Sequence, residues 1–287
     1  MSIKNPVEWG LAQISNAFTA IGSAGPALHH MQETVHSPAP TIRRISMHDV
    51  TDALAEGFED FANFRSDVVF ICVFYPLVGL LLAQYVFGHD MLPLLFPIAA
   101  GFALIGPFAA IGLYEMSRRH EKGLETSWIH AFDVVRSPAI GSIVAMGLLL
   151  FAIFFAWLHT AWAVFELTMG PDIPTSLATF AKDIFTTAAG HTMMVLGIGI
   201  GFVFAVIAMS VSVFSFPLLL DRDVGLDTAF STSIRATWMN IVPMTLWGFI
   251  VASTLALGSI PMLIGLAVVM PTLGHATWHL YRKVIAP

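Results

Sequence analysis

Long apolar stretches dominate the pattern of hydrophobic and polar positions along this chain. Six of them approach or exceed the roughly 20 residues that an α-helix needs to cross a lipid bilayer. They cover residues 68–88, 92–116, 140–167, 192–220, 241–258 and 260–281. Each stretch is continuous rather than alternating, which disfavours membrane-spanning strands. The pattern therefore predicts an all-α polytopic membrane protein with six transmembrane helices.

Lys and Arg residues fall almost entirely on one side of this six-helix arrangement. The chain has 13 of them, and only Lys182 lies in a segment on the opposite side. Positively charged residues near the ends of spans are retained on the cytoplasmic side of a membrane. Both termini are therefore predicted to be cytoplasmic.

Three shorter segments between the spans carry apolar residues at helical spacing. The first stripe is Val50, Leu54, Phe58 and Phe61, and comparable stripes run through residues 124–135 and 226–237. Acidic residues of the first segment, among them Asp60, fall on the other faces and are expected to face water. Because each segment leads into a span, we interpret all three as amphipathic helices on the cytoplasmic membrane surface. Helices packed against the rest of the domain are the alternative.

The same order of elements recurs along the chain. Each unit consists of an amphipathic helix, a span out and a span back, and Gly123–Thr126 aligns with Gly225–Thr228. All units run in the same orientation. The expected fold is therefore six transmembrane helices arranged as three parallel repeats of an amphipathic helix plus a helical hairpin.

Residues 1–40 are expected to form an N-terminal amphipathic segment and linker, separate from a membrane domain at 41–287. The segment carries an apolar stripe of Val7, Leu11, Ile14 and Phe18. It ends at Gly25-Pro26, and a polar linker containing Ser37–Pro40 follows. The stripe is a candidate docking surface for the membrane or for a partner, and a partly disordered tail is the alternative.

Composition supports a lipid-facing surface and excludes several function classes. Hydrophobic residues make up 56% of the chain and charged residues 11%, whereas a soluble domain carries about 25% charged residues. The chain has no basic stripe, so no nucleic-acid partner is predicted. The single cysteine, Cys72, cannot form an internal disulfide. Motifs of soluble enzymes, such as the P-loop and H-E-x-x-H, are missing, so no enzymatic activity is expected.

Four of the 11 histidines are candidate ligands. His159 and His191 lie in or beside the third and fourth spans, where haem ligands are found. His275 and His279 are one helical turn apart and could bind a metal ion together. No Cys or carboxylate cluster accompanies them in the sequence, so a structural role is favoured. Bound lipids are expected and no other cofactor is predicted, with haem or metal ligation as the alternative.

Three local patterns give further expectations. Gly197 and Gly201 form a GxxxG pair, which favours helix packing within the bundle over a dimer contact. Glu115 lies one turn from Arg118 and Arg119, so its carboxylate is expected either to extend to the membrane surface or to pair with an arginine. Apolar spacing over Leu177–Phe185 predicts a short amphipathic helix in the loop between the third and fourth spans.

Several stretches of the chain carry a family resemblance. They are Ile42–Ile45, Ala53–Phe61, Leu94–Pro107, Gly112–Arg119 and Phe216–Arg222. From about Thr41 to its end, the chain resembles an uncharacterised family of bacterial integral membrane proteins, domain of unknown function 2189. The resemblance implies a multi-pass protein of the bacterial inner membrane. The family has no established activity, so it implies no catalytic residues, and the N-terminal segment is additional to its pattern.

These features lead to three functional hypotheses. The span centres carry no Asp, Glu, Lys or Arg, so the leading hypothesis is a protein that works through its surfaces. It would be a non-catalytic accessory or assembly subunit of an inner-membrane complex, with respiratory or photosynthetic electron transfer as the first context to test. Its partners would be membrane lipids and other integral membrane proteins. The alternatives are a transporter of a small neutral or apolar solute and a haem- or metal-binding membrane protein.

Overall fold

The computed structural model describes residues 29–31, 33–63, 84, 91–170, 172–174, 176–260 and 263–286. Almost all of the first predicted span, 68–88, lies outside these residues. The N-terminal stripe of Val7, Leu11, Ile14 and Phe18 does so as well. Both therefore stay predictions.

The described residues are predominantly helical. The helices are α1 (47–63), α2 (Leu95–Ala109), α3 (Ile111–Glu121), α4 (Ile140–Met169), α5 (Leu177–Thr186), α6 (Ala188–Ser212), α7 (Ser215–Asp221), α8 (Leu226–Met239), α9 (Ile241–Ser259) and α10 (Leu266–Val284). Two 3₁₀ helices cover Leu92–Leu94 and Trp128–Arg136. Within the described part of the chain no β-strand forms, and the one β-bridge pairs Ile42 with Ile285.

Three helical stretches are long and apolar enough to cross a membrane. They are Ile140–Met169, Ala188–Asp221 and Ile241–Ser259, and they coincide with the predicted third, fourth and fifth spans. The second predicted span is divided into α2 and α3 at Ala110, and the sixth begins only at Leu266. The structure thus supports an all-helical membrane protein with three candidate spans, while six spans and a threefold repeat stay predictions.

The outer faces of these three stretches carry large apolar side chains. Exposed examples are Leu148, Phe155, Leu167, Val195, Ile198, Phe202, Phe249 and Leu257. An apolar surface of this extent is unfavourable in water but suits contact with lipid chains. The buried core lies at one end of the bundle, where α3, α7, α8 and α10 pack. Its largest fully buried side chains include Trp278, Tyr114, Tyr281 and Phe214.

Helix α8 differs from the surface helix that the apolar stripe predicted. Its fully buried face carries small and hydroxyl residues, including Ala229, Thr232 and Ser233. The Ser233 hydroxyl donates to the Ser210 carbonyl at 2.8 Å, and the Phe214 N–H donates to the Ser233 oxygen at 3.2 Å. Small side chains let helix backbones approach closely. Helix α8 is therefore packed into the bundle, as the alternative interpretation has it.

The linker before α1 is bound to the rest of the fold rather than free. The Gly225 N–H donates to the Ser37 hydroxyl at 2.9 Å, and the Thr228 hydroxyl donates to the Ser37 carbonyl at 2.9 Å. A Cβ on Gly225 would lie 2.4 Å from the Thr34 oxygen, so only glycine permits this approach. Farther along, the Asn240 side chain bonds the backbone of Arg43 and of Ile45. Residues 34–45 thus form a strap across the start of α8 and the junction of α8 with α9.

The loop helix predicted over Leu177–Phe185 is confirmed as α5. Ser176 caps it by accepting the Thr179 N–H at 3.2 Å. Phe180 is buried and meets Phe165 edge-on at a centroid distance of 6.1 Å. Lys182 is exposed, as its position on the polar face predicted.

Candidate functional site

Helices α1 and α10 cross with their backbones almost in contact. A Cβ added to Gly57 would lie 2.4–2.6 Å from atoms of Ala276. This close approach turns the face of α1 that bears Gly57 and Asp60 toward α10. Asp60 is only 4% exposed, so the expectation that it faces water is wrong. Because small residues on both helices permit the contact, the acidic face of α1 is drawn inward.

Asp60 is the buried centre of an acid–histidine cluster, made of Asp60, Ser117, His120, His275 and His279. One carboxylate oxygen, Oδ2, lies 2.6 Å from Ser117 Oγ and 2.9 Å from His279 Nε2. The other, Oδ1, lies 2.9 Å from His120 Nδ1. Ser117 Oγ is also 2.7 Å from His275 Nδ1. Residues of α1, α3 and α10 therefore converge on one carboxylate.

The donor directions within this cluster follow from its geometry. A carboxylate only accepts hydrogen bonds, so Ser117 must donate its single hydroxyl proton to Asp60. The Ser117 oxygen is then an acceptor for His275 Nδ1–H, which assigns the proton of that imidazole to Nδ1. The result is a chain of donors that runs from the fully buried His275 through Ser117 to Asp60.

These donors hold the Asp60 carboxyl in its charged form. Burial by itself would raise the pKa of Asp60. The hydrogen bonds from His279 and Ser117, together with the nearby imidazoles of His275 and His279, outweigh burial and place this pKa well below its ordinary value. Asp60 therefore stays ionised at neutral and mildly acid pH, and its contribution to stability is lost only as the pH falls into strong acid.

His279 lies between two carboxylates of α1. Its Nε2 is 2.9 Å from Asp60 Oδ2, and its Nδ1 is 3.3 Å from Glu56 Oε2. Glu56 in turn receives Lys283 Nζ at 2.9 Å. Since Glu56 and Asp60 are one turn apart on α1, and His279 and Lys283 one turn apart on α10, the two helices present facing pairs of opposite charge.

The cluster does not have the arrangement of a catalytic triad. In a triad the imidazole lies between the acid and the serine, whereas here Ser117 lies between Asp60 and His275. Among the described residues, no group of three or more His, Cys, Asp or Glu side chains is arranged to hold a metal ion. The geometry supports a hydrogen-bonded network that joins α1, α3 and α10 around one buried carboxylate.

An apolar cavity adjoins this cluster. It is a partly open space of about 190 Å³ between α2, α6, α9 and α10. Its lining includes Leu104, Met209, Trp247, Val251, Leu255 and Met270. Two polar groups of the lining are satisfied within their own helices, since the Ser212 and Thr277 hydroxyls donate to Ala208 and Leu273 carbonyls. The cavity therefore offers a mainly hydrocarbon surface to an occupant.

The cavity and the cluster share two helices. Tyr114 lines the cavity and lies one turn before Ser117 on α3. On α10, Gly274 and Thr277 line the cavity on either side of the cluster residue His275. A displacement of α10 would therefore alter the cavity wall and the cluster together.

The other sequence candidates lie elsewhere and make local contacts. His159 Nδ1 is 2.8 Å from the Phe155 carbonyl, and His191 Nε2 is 3.0 Å from the Phe185 carbonyl. A Cβ on Gly201 would touch the Trp157 ring at 3.0 Å, whereas a Cβ on Gly197 would meet no described atom within 4 Å. Gly201 thus lies at a packing contact between α4 and α6, while Gly197 does not contact α4.

Sequence reasoning missed Asp60, Ser117 and His120 as members of a site. One available signal was the stripe of Ala53, Gly57 and Asp60, which puts two small residues and an acid on one face of α1. Small residues at helical spacing mark a close helix contact. Weighed with the pair at His275 and His279, this stripe would have indicated a buried carboxylate.

The described structure defines a helical membrane protein with a polar cluster around a buried carboxylate, beside an apolar cavity. Residues 95–221 match the family model "Predicted integral membrane protein (DUF2189)". The match confirms the family resemblance over α2 to α7 and includes Ser117 and His120. Asp60, His275 and His279 lie outside the matched residues. No match was found among curated proteins or among solved structures.

Proposed function

We propose that this protein binds a small neutral or apolar solute between its membrane helices, as a transporter of such a solute would. The observation that carries the proposal is the apolar cavity of about 190 Å³ between α2, α6, α9 and α10. A dry apolar cavity of roughly 150 Å³ is large enough to bind benzene. The occupant would therefore be about the size of a single aromatic ring or a short alkyl chain.

Filling the cavity is expected to abolish solute binding. Gly248 lines the cavity, and a Cβ there meets only the Met209 side chain, at 3.5 Å or more. Gly248→Leu should therefore place its side chain in the space without a backbone clash. The measurement is photolabelling of the full-length protein in lipid nanodiscs with a short alkyl diazirine, mapped by peptide mass spectrometry. Labelling that an excess of the unlabelled alkane suppresses is counted as specific, or competition-sensitive.

In the unmodified protein, competition-sensitive labelling should concentrate on the cavity residues Met209 and Trp247. Gly248→Leu should lower it by about tenfold or more, the change that corresponds to about 1.4 kcal/mol of binding free energy. Gly199→Leu is the matched control, since a Cβ on Gly199 meets no described atom within 4 Å and Gly199 does not line the cavity. The solute site would be refuted if the unlabelled alkane suppressed labelling at Trp247 no more than at the exposed Phe249.

We further propose that the protein lies in a bacterial inner membrane with both termini in the cytoplasm. The support is the distribution of Lys and Arg, of which only Lys182 lies on the opposite side of a six-span arrangement. A reporter that is active only outside the cytoplasm should be active when fused after Asp90 or at Asp172. It should be silent when fused after Gly123 or at the C-terminus. Activity of the C-terminal fusion would contradict the six-span arrangement.

The accessory-subunit hypothesis is the second candidate function. The observation in its favour is the strap, which anchors the chain at Ser37 beside the start of α8. An N-terminal docking segment would then begin from a fixed point on the domain. Haem or metal ligation by the histidines stays the third hypothesis, and an absorption spectrum of the protein purified from native membranes would test it.

A further inference from the structure

We propose that His279 is a proton-binding site whose occupancy clamps α1 onto α10 and thereby sets the shape of the cavity that α10 lines. The first half of this inference concerns the two helices alone. The second half, the effect on the cavity, rests on the proposed solute site. The argument begins from the two carboxylates on either side of the His279 ring.

A neutral imidazole carries one N–H and one lone pair. His279 has Asp60 Oδ2 at 2.9 Å from Nε2 and Glu56 Oε2 at 3.3 Å from Nδ1. Only the doubly protonated imidazolium presents an N–H to both carboxylates, as a hydrogen bond to Asp60 and as an ion pair with Glu56. With one proton removed, one ring nitrogen presents its lone pair to a negative oxygen, and an attraction becomes a repulsion.

The charged and titratable groups on the helices around His279 also bear on its protonation. Helix α1 contributes Glu56 and Asp60, α10 contributes Lys283 and the buried His275, and α3 contributes His120. Glu56 and Asp60 are opposed by Lys283 and protonated His279, so these four charges balance. When His279 is neutral, two like charges at i and i+4 on α1 face a single cation, and their repulsion favours separation of α1 from α10.

The hydrogen bonds described for the other two histidines of the cluster each involve one ring nitrogen. His120 Nδ1 lies 2.9 Å from Asp60 Oδ1, and His275 Nδ1 lies 2.7 Å from Ser117 Oγ. Each of these two bonds can form with a neutral ring. His279 differs because a carboxylate lies on each side of its ring.

A link from this clamp to the cavity runs through α10. Ala276 packs against Gly57 of α1, while Gly274 and Thr277 of the same turn line the cavity. When α1 is clamped, its backbone fixes this turn of α10. When α1 is released, the turn loses that support and the cavity wall can move. Protonation should thus favour the cavity shape in the present structure.

The test measures the distance between α1 and the α3–α10 pair as a function of pH. Spin labels would be placed at two exposed positions, Ala55 on α1 and Lys122 at the end of α3, in full-length protein in nanodiscs with Cys72 replaced by alanine. The pH range is about 5 to 8, over which histidine changes its charge. The expected result is a longer distance at high pH, with the separated population rising by about tenfold, the change that corresponds to about 1.4 kcal/mol.

Two variants of His279 and one control make the test decisive. His279→Gln should show the long distance at every pH, because it cannot carry a charge. His279→Lys should show the short distance at every pH, because its cation is permanent over this range. His48→Gln is the matched control and should keep the pH response, because His48 is an exposed histidine of α1 that lies outside the cluster. A pH-independent distance in the unmodified protein, or a pH response that persists in His279→Gln, would overturn the clamp.

The same samples separate the two halves of the proposal. Competition-sensitive labelling of Met209 and Trp247 should decrease as the distance lengthens. If the distance responds to pH while specific labelling stays constant, the coupling to the cavity is wrong and the clamp is retained. If specific labelling is missing at every pH, the solute site itself is wrong, and the distance measurement still decides the clamp.

Discussion

Replacing Gly57 by leucine is expected to detach α1 from α10 and to dismantle the acid–histidine cluster. The Cβ of any larger residue would lie 2.4 Å from the Ala276 backbone nitrogen, and a backbone cannot move aside as a flexible side chain can. Overpacking of a close contact costs about 1–3 kcal/mol. Loss of the hydrogen bonds to Asp60 would add to this cost in stability, because each hydrogen bond to a charged group contributes about 1.5–3 kcal/mol.

The measurement is hydrogen exchange of the α1 amides together with thermal unfolding in detergent. Gly57→Leu should lose protection over residues 47–63 and should unfold several degrees lower, since 1 kcal/mol shifts the midpoint of a domain of this size by about 2–4 °C. Ala55→Leu is the matched control, because Ala55 is exposed on the same helix. If Gly57→Leu protects α1 as well as the control does, the close contact is not what holds α1.

The spans that sequence predicted best are those whose apolar character is continuous. Residues 140–167 and 241–258 were predicted as spans, and α4 and α9 begin at the predicted residues and end within two residues of the predicted ends. Length and hydrophobicity determine such helices independently of their neighbours. The predicted span 92–116 is different, since the helix is divided at Ala110, three residues after Pro107. Hydropathy alone does not show where an apolar helix will be interrupted, and α2 continues through Pro107 before it ends.

Only part of the candidate site could be predicted from the sequence. His275 and His279 were identified as a pair on one face of a helix, and the structure places both beside Asp60. What the sequence did not show is which face of α1 would be buried. The apolar stripe was assigned to the membrane surface, which agrees with Phe58 being 56% exposed, whereas the burial of Asp60 was not expected. The close contact at Gly57 decides the orientation, and that contact depends on residues more than 200 positions apart.

Local pairing was easier to predict than the convergence of distant helices. Glu115 and Arg118 are three residues apart, and the arginine does bind the buried carboxylate through two nitrogens, at 2.7 and 3.0 Å. Residues at this spacing share one face of any helix. The cluster, by contrast, joins Asp60 to side chains 57 to 219 positions away along the chain. No periodicity within one segment specifies such a contact.

Deletion of residues 1–28 is expected to separate the accessory-subunit hypothesis from the transporter hypothesis. Helix contacts within lipid gain little from the hydrophobic effect, so stable docking to a partner should depend on surface outside the bilayer. The apolar stripe of Val7, Leu11, Ile14 and Phe18 is the candidate for that surface. Burial of one Leu- or Phe-sized side chain contributes about 1.5–3 kcal/mol, so loss of the stripe should release a partner.

The deletion ends before the strap because the strap is bound to the domain through Ser37 and through Asn240. The truncated protein should therefore fold and insert as the full-length protein does, which hydrogen exchange over α8 would verify. Native gels and co-purification from native membranes would compare the two forms. A matched pair of full-length variants tests the stripe itself: serine at the four apolar positions should release the partner, whereas serine at Gln13 and Asn16 should not. Retention of the same partners at the same yield after the deletion would exclude N-terminal docking. If neither form has partners while both show competition-sensitive labelling of the cavity, the solute-binding function is favoured over the accessory subunit.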